Sequence, residues 1–267
     1  MTIRAPAVDD RFYPGDPTTL SRTLEELIPH RTVKKKALAV ISPHAGYIFS
    51  GKIAGETFSR VEIPKNVIVL GPNHHGRGAK VAMMTEGYYQ MPLGNIPINS
   101  ELASLINTSG LIEEDNTAHQ LEHSLEVQLP FIQYLRNDFS LLPFVISHLP
   151  YFSCVEIGTE LARAIKEYGK SVLMVASTDM THFESRQSAM AKDKQAIQCI
   201  ENLDPEALYN TVINQGITMC GIIPTTITMV AALTLGARQA ELVGYSDSAD
   251  ITGDTSQVVG YAGFIVT

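Results

Sequence analysis

Apolar positions run along this chain in two rhythms. Short unbroken runs, rich in β-branched residues, occur at Ala37–Ile41, Val67–Leu70 and Val172–Ala176. Runs of that length without polar alternation read as strands buried on both faces. Longer stretches repeat apolar residues three and four apart, which predicts helices over Val155–Tyr168, Ala189–Ile200 and Asp204–Gln215, and a wholly apolar one over Ile223–Leu235. Asp16-Pro17 reads as a cap and first turn for a helix through Ile28. Further helices are expected over Gly51–Arg60, Ser100–Thr108 and Ser124–Leu135, the last kinked or starting late at Pro130. Val81–Met84, Glu241–Tyr245 and Val258–Ile265 complete the strands, with Leu141–Ile146 placed at an edge or bulge by its Pro143. The Pro- and Gly-rich stretch from Tyr88 to Asn99 reads as an irregular hairpin.

Strands alternate with helices, with no long linker and no fixed repeat. The pattern predicts one mixed α/β domain over residues 1–267, a single mixed sheet flanked by helices. Each of the three buried runs leads into a polar loop that carries histidine. These loops are Ser42-Pro43-His44-Ala45-Gly46-Tyr47, Gly71-Pro72-Asn73-His74-His75-Gly76 and Ser177-Thr178-Asp179-Met180-Thr181-His182-Phe183. Open α/β sheets bind ligands outside the carboxyl ends of their strands, so the imidazoles are expected to converge on one crevice.

Composition narrows the function classes. Of 267 residues, 45% are hydrophobic and 18% charged, enough for a sizeable core. The net charge of −8 argues against nucleic acid, which needs a basic face. The longest apolar stretch, Ile222–Leu235, is shorter than the ~20 residues of a membrane span. Three scattered cysteines and no apolar leader predict reduced thiols and a cytoplasmic location. The sequence contains no phosphate-binding G-x-x-x-x-G-K-[ST], no G-x-G-x-x-G after a strand and no Cys-x-x-Cys.

The polar residues that remain each admit two readings. His44 is presented by a Pro–Gly turn, as a ligand or as a loop histidine that bonds its own turn. Of His74 and His75, consecutive residues that point apart, one is expected to face the crevice. Asp179 and His182 suit an oriented general acid/base; Thr178 or Asp179 equally suits the cap of a short helix. Glu122 and Glu126, around His123, read as support for a site or as a solvated stripe. Cys220 precedes the apolar helix, where a thiol ionises more easily and can bind soft metals, or simply packs.

Taken together, Ser-Pro-His-Ala-Gly-Tyr, Gly-Pro-Asn-His-His-Gly, Glu-His-Ser-Leu-Glu-Val-Gln-Leu-Pro (122–130), Ser-Thr-Asp-Met-Thr-His-Phe and Cys-Gly-Ile-Ile-Pro (220–224) resemble the MEMO-like family, whose prokaryotic members are called AmmeMemoRadiSam system protein B. The resemblance spans Phe12 to Gly263. It implies the fold of class III extradiol dioxygenases of the LigB type, which hold Fe(II) with two His and one Glu. It further implies His44 and His74 as metal ligands, Cys220 in the third position and His182 as acid/base with Asp179 beside it; the residues themselves offer His75, Glu122 and His123 as possible supports. Cysteine in place of Glu would favour Cu(I) or a more covalent Fe(II) site, open to oxidation. The resemblance therefore implies a redox protein loaded with iron or copper, acting on a small molecule or peptide and associated with radical-SAM proteins. The alternative is a non-catalytic peptide- or protein-binding module built on a vestigial pocket.

Overall fold

The computed structural model describes residues 2–30, 33–108 and 110–267. Its elements run β1 (Ile3–Arg4), α1 (Pro17–Leu27), β2 (Ala39–Ser42), α2 (Tyr47–Ser59), β3 (Asn66–Pro72), β4 (Val81–Met83), β5 (Tyr88–Tyr89), β6 (Ile96–Pro97), α3 (Ser100–Ala103) and β7 (Glu113–Glu114). They continue with α4 (Leu129–Leu135), β8 (Ser140–Ile146), α5 (Tyr151–Tyr168), β9 (Val172–Ser177), β10 (His182–Glu184), α6 (Arg186–Glu201), α7 (Pro205–Asn214), α8 (Ile222–Leu235), β11 (Ala240–Asp247), α9 (Ala249–Thr252) and β12 (Val258–Val266).

Among the described residues, nine strands form one mixed sheet in the order β10-β12-β2-β9-β3-β8-β4-β7, with β11 also paired to β12. Strands β2, β9, β3 and β8 are parallel, so their carboxyl ends share one edge. Strands β2, β3 and β9 are buried along their length, and alternate residues serve opposite faces. Ile41, Ile68, Leu70 and Met174 pack with Ile157 and Leu161 of α5, Leu208 of α7 and Ile227 of α8. Val40, Val67, Val69 and Val175 pack with Leu24 of α1, Phe58 of α2 and Phe131 of α4. The expected mixed sheet between helix layers is therefore present, and a small sheet β1-β5-β6 adds to it.

Several boundaries move, each for a local reason. Helix α2 starts at Tyr47 and not at Gly51, because Gly46 caps it and the Tyr47 N–H bonds Phe12 O at 2.8 Å. Its Gly55 lets α1 approach: a Cβ there would stand 2.1 Å from Leu27 O. Helix α5 starts at Tyr151, directly after Pro150, and α3 stops at Ala103. Pro130 does mark a late start, with a 3₁₀ turn at Glu126–Gln128 leading into α4. Strand β8 is not an edge strand; it lies between β3 and β4, and Pro143 sits just past the last register pair with β4, Met83↔Phe144. No helix follows Thr178-Asp179; the chain instead forms β10 against β12.

Candidate metal centre

The loops after β2, β3 and β9 meet, and a fourth segment joins them. His44 is 2% exposed, and its Nδ1 lies 2.9 Å from Ser177 Oγ. The Ser177 hydroxyl donates to Ser124 O at 2.6 Å and accepts from Gln128 Nε2 at 2.8 Å. A hydroxyl has one hydrogen to give. His44 Nδ1 must therefore donate to Ser177, which leaves the lone pair on Nε2, 3.3 Å from Cys220 Sγ.

His74 is fixed by Glu122. Its Nδ1 is 2.8 Å from one carboxylate oxygen, and its backbone N–H donates to the other at 2.7 Å. Burial alone would raise the Glu122 carboxyl. The hydrogen bond and charge of His74, with the Ser124 N–H at 2.9 Å, outweigh burial and lower it to about 2. An ionised carboxylate only accepts, so His74 Nδ1 donates to Glu122, and Nε2 is the nitrogen not tied to it. His123 stacks on His74 with centroids 4.6 Å apart and meets His44 edge-on at 5.5 Å. One donor atom from each of His44, His74 and His123 lies within 4.8 Å of the others.

The electrostatics suit metal binding. Burial, then the neighbouring imidazoles, hold His44 well below its ordinary value of 6.5 and lower His123 to about 3. Both are neutral at pH 7, as a ligand must be. Each ring nitrogen that points away from the trio is tied to an oxygen in His44 and His74, the arrangement that orients metal-binding imidazoles. The donor set therefore fits an imidazole-binding transition ion.

Cys220 adjoins the trio and is not a member of it. Its sulfur accepts the Asp179 N–H at 3.2 Å. Burial, reinforced by the Asp179 charge, pushes the thiol up, so proximity to the start of α8 does not ease its ionisation. Asp179 is displaced from its expected role. Its carboxylate accepts the His44 N–H at 2.8 Å, while the His182 ring is oriented by Thr218 O, 2.9 Å from Nδ1. A carbonyl only accepts, so His182 also presents a free Nε2. His75 is exposed and stands outside the trio. Glu126 is no solvated stripe: it is fully buried against Arg4.

Sequence reasoning passed over Ser177, Gln128 and Thr218, which hold the rings in place. Their only signal was position: Ser177 opens the third loop, and Gln128 closes the Glu-Val-Gln run.

The fold and this pocket define a mixed α/β protein with a candidate metal-binding histidine cluster at its strand ends. A family model described as "Memo-like protein" matches residues 4–265. A MEMO1 family protein of Aquifex aeolicus is 41% identical over 269 residues, covering 99% of each chain. One from Methanopyrus kandleri is 39% identical over 277 residues, covering 98% of each. The chain belongs to the Memo-like family. Among solved structures, an uncharacterized protein of Escherichia coli K12 shares the fold at a TM-score of 0.50 and 13% identity, covering 85% of this chain and 99% of that one. No helix among the described residues is long and apolar enough to cross a membrane.

Proposed function

We propose that this chain is a metal-dependent redox protein that holds Fe(II) or copper in the strand-end pocket. The observation that supports it is the convergence of three imidazoles, two of which have their outer nitrogens already committed to oxygen acceptors. In this reading His44 and His74 are ligands, Cys220 supplies the soft third donor, and His123 adds a fourth nitrogen. When bound, such an ion would supply electron-transfer and Lewis-acid chemistry. Cys220 enters the ligand set only by losing its raised thiol proton, so uptake releases a proton and tightens as pH rises. His182, with Nδ1 held by Thr218, keeps Nε2 available to take or give a proton at the pocket. Asp179 steadies the His44 backbone.

To this reading belong a small-molecule or peptide ligand and a radical-SAM protein among the partners, supported by the resemblance alone, and a cytoplasmic home, supported by the scattered cysteines. The test is anaerobic titration of wild type, His74→Ala, His123→Ala and Cys220→Ser with Fe(II) and with Cu(I). Each variant is expected to bind at least tenfold more weakly. Equal affinity in all four would remove the centre and favour a pocket that only docks a partner.

A further inference from the structure

The segment that carries Glu122 and His123 has no strand or helix of its own between β7 and the 3₁₀ turn. It is held from outside by the start of the chain. Arg4 is 4% exposed, and its guanidinium makes three separate bonds to that segment. Nε donates to His119 O at 2.9 Å, one terminal nitrogen to Glu122 O at 2.5 Å, and the other to the Glu126 carboxylate. Glu126 in turn accepts from the Ala7 N–H at 2.8 Å, the Val8 N–H at 3.1 Å and the Tyr13 hydroxyl at 2.5 Å. The same stretch of chain brings the Phe12 ring to 4.8 Å from His123. The Arg4 guanidinium also lies 5.0 Å over the Tyr89 ring, whose hydroxyl meets His119 Nδ1 at 2.8 Å.

One planar group thus grips the segment at residues 119, 122 and 126, on both sides of Glu122-His123. We propose that Arg4 is a positioning residue of the metal centre, fixing the backbone that aims Glu122 at His74 and turns His123 toward the other imidazoles. The proposal rests on the reading of this pocket as a metal centre. Lysine keeps the charge opposite Glu126 but lacks the rigid fork that serves three acceptors in one plane.

The test compares wild type, Arg4→Lys and Asn99→Ala. Asn99 is a buried polar residue bonded to Asn66 and Tyr168, so it reports a loss of stability remote from the pocket. Two readouts are used: Fe(II) affinity, and the His74 Nδ1–H proton resonance of the metal-free protein. Arg4→Lys is expected to broaden or lose that resonance and to weaken Fe(II) about tenfold or more, the usual effect of disturbing a group that orients a ligand. Asn99→Ala is expected to lower the melting temperature and to leave both readouts in place. Wild-type readouts in folded Arg4→Lys would overturn the proposal, as would equal changes in Asn99→Ala. If Arg4→Lys does not fold, Phe12→Leu is read instead: shifted His123 signals and a few-fold weaker Fe(II) are expected, and unchanged values overturn it. Failure of wild type to bind metal would sink the proposed function, whereas the His74 resonance still judges Arg4.

Discussion

The pocket has two halves built by different means. His44 and His74 stand at the ends of β2 and β3, strands with no exposed core residue and neighbours on both sides. The strands that carry them are placed by backbone ladders and apolar packing, and Ser177 and Glu122 then fix each ring. Glu122, His123 and Gln128 lie on a segment held by side-chain bonds to residues far away in the chain, Arg4 and His74 among them. Chemistry mounted on strand ends should therefore tolerate polar substitutions beneath it. Chemistry mounted on the bridging segment should not.

The sharpest test of that contrast is Glu122→Ala. It strips the acceptor from the His74 N–H, His74 Nδ1–H and Ser124 N–H in a site where Glu122 is 1% exposed. Lowering the carboxyl from 4.5 to about 2 corresponds to roughly 3 kcal/mol. Because the folded state holds the proton less tightly, that stability is complete above about pH 4.5 and fades as pH falls toward 2. Urea melts should show a loss of roughly 3 kcal/mol at pH 7 that shrinks at pH 3. The matched strand-end change is Ser42→Ala, whose hydroxyl is buried without a partner among the described residues. It should cost less than ~0.5 kcal/mol. Comparable losses in the two variants would erase the distinction.

The same division explains what could be read in advance. His44, His74 and His182 were legible because a buried strand announces itself as an apolar run, and the loop behind it has only one place to go. Glu122 and Glu126 were ambiguous because spacing four on a polar stretch looks alike whether it faces solvent or a buried arginine. Arg4 gave no local sign at all: its partners are over a hundred positions away. Ser177 acts by satisfying one hydrogen-bond count, and that count exists only once Ser124, Gln128 and His44 share a space. Pro143 misled for a similar reason, since whether a strand is interior depends on where its neighbour's ladder stops.

A milder effect should reach both halves at once. His123 is lowered to about 3 by burial and then by His44, and His44 is moved the same way by its own burial. A depressed imidazole gives stability that is complete above its ordinary value of 6.5 and is lost as pH falls toward the folded value. In chelator-treated protein, His123 alone should remove about 2 kcal/mol between pH 6.5 and 5. Thermal melts of His123→Gln across that range should be flatter than those of wild type, with the residual slope belonging to His44 and His119, the other buried histidines lowered in the same direction. An unchanged slope would show that the bridging half opens to water before its histidine is protonated.

The smallest effect should appear at β10, which delivers His182 by yet another device. Phe183 has φ +58°, is 72% exposed, and sits where the register against β12 shifts between His182 and Glu184. A left-handed conformation costs an aromatic residue roughly 1–2 kcal/mol, and a bulge of this kind re-aims the side chain beside it. If the backbone alone makes the turn, glycine should serve as well. Its relief of strain would be offset by about 0.5–1 kcal/mol of extra chain entropy in the unfolded state. Phe183→Gly should then leave stability within ~1 kcal/mol of wild type, with the His182–Thr218 bond intact by imidazole NMR. Phe183→Val, β-branched in the same conformation, should be the worse of the two. A larger loss in Phe183→Gly would mean that the ring, 5.7 Å from His182 between centroids, holds the bulge by packing. His182 would then join Glu122 and His123 among residues placed by side-chain contact and not by strand geometry.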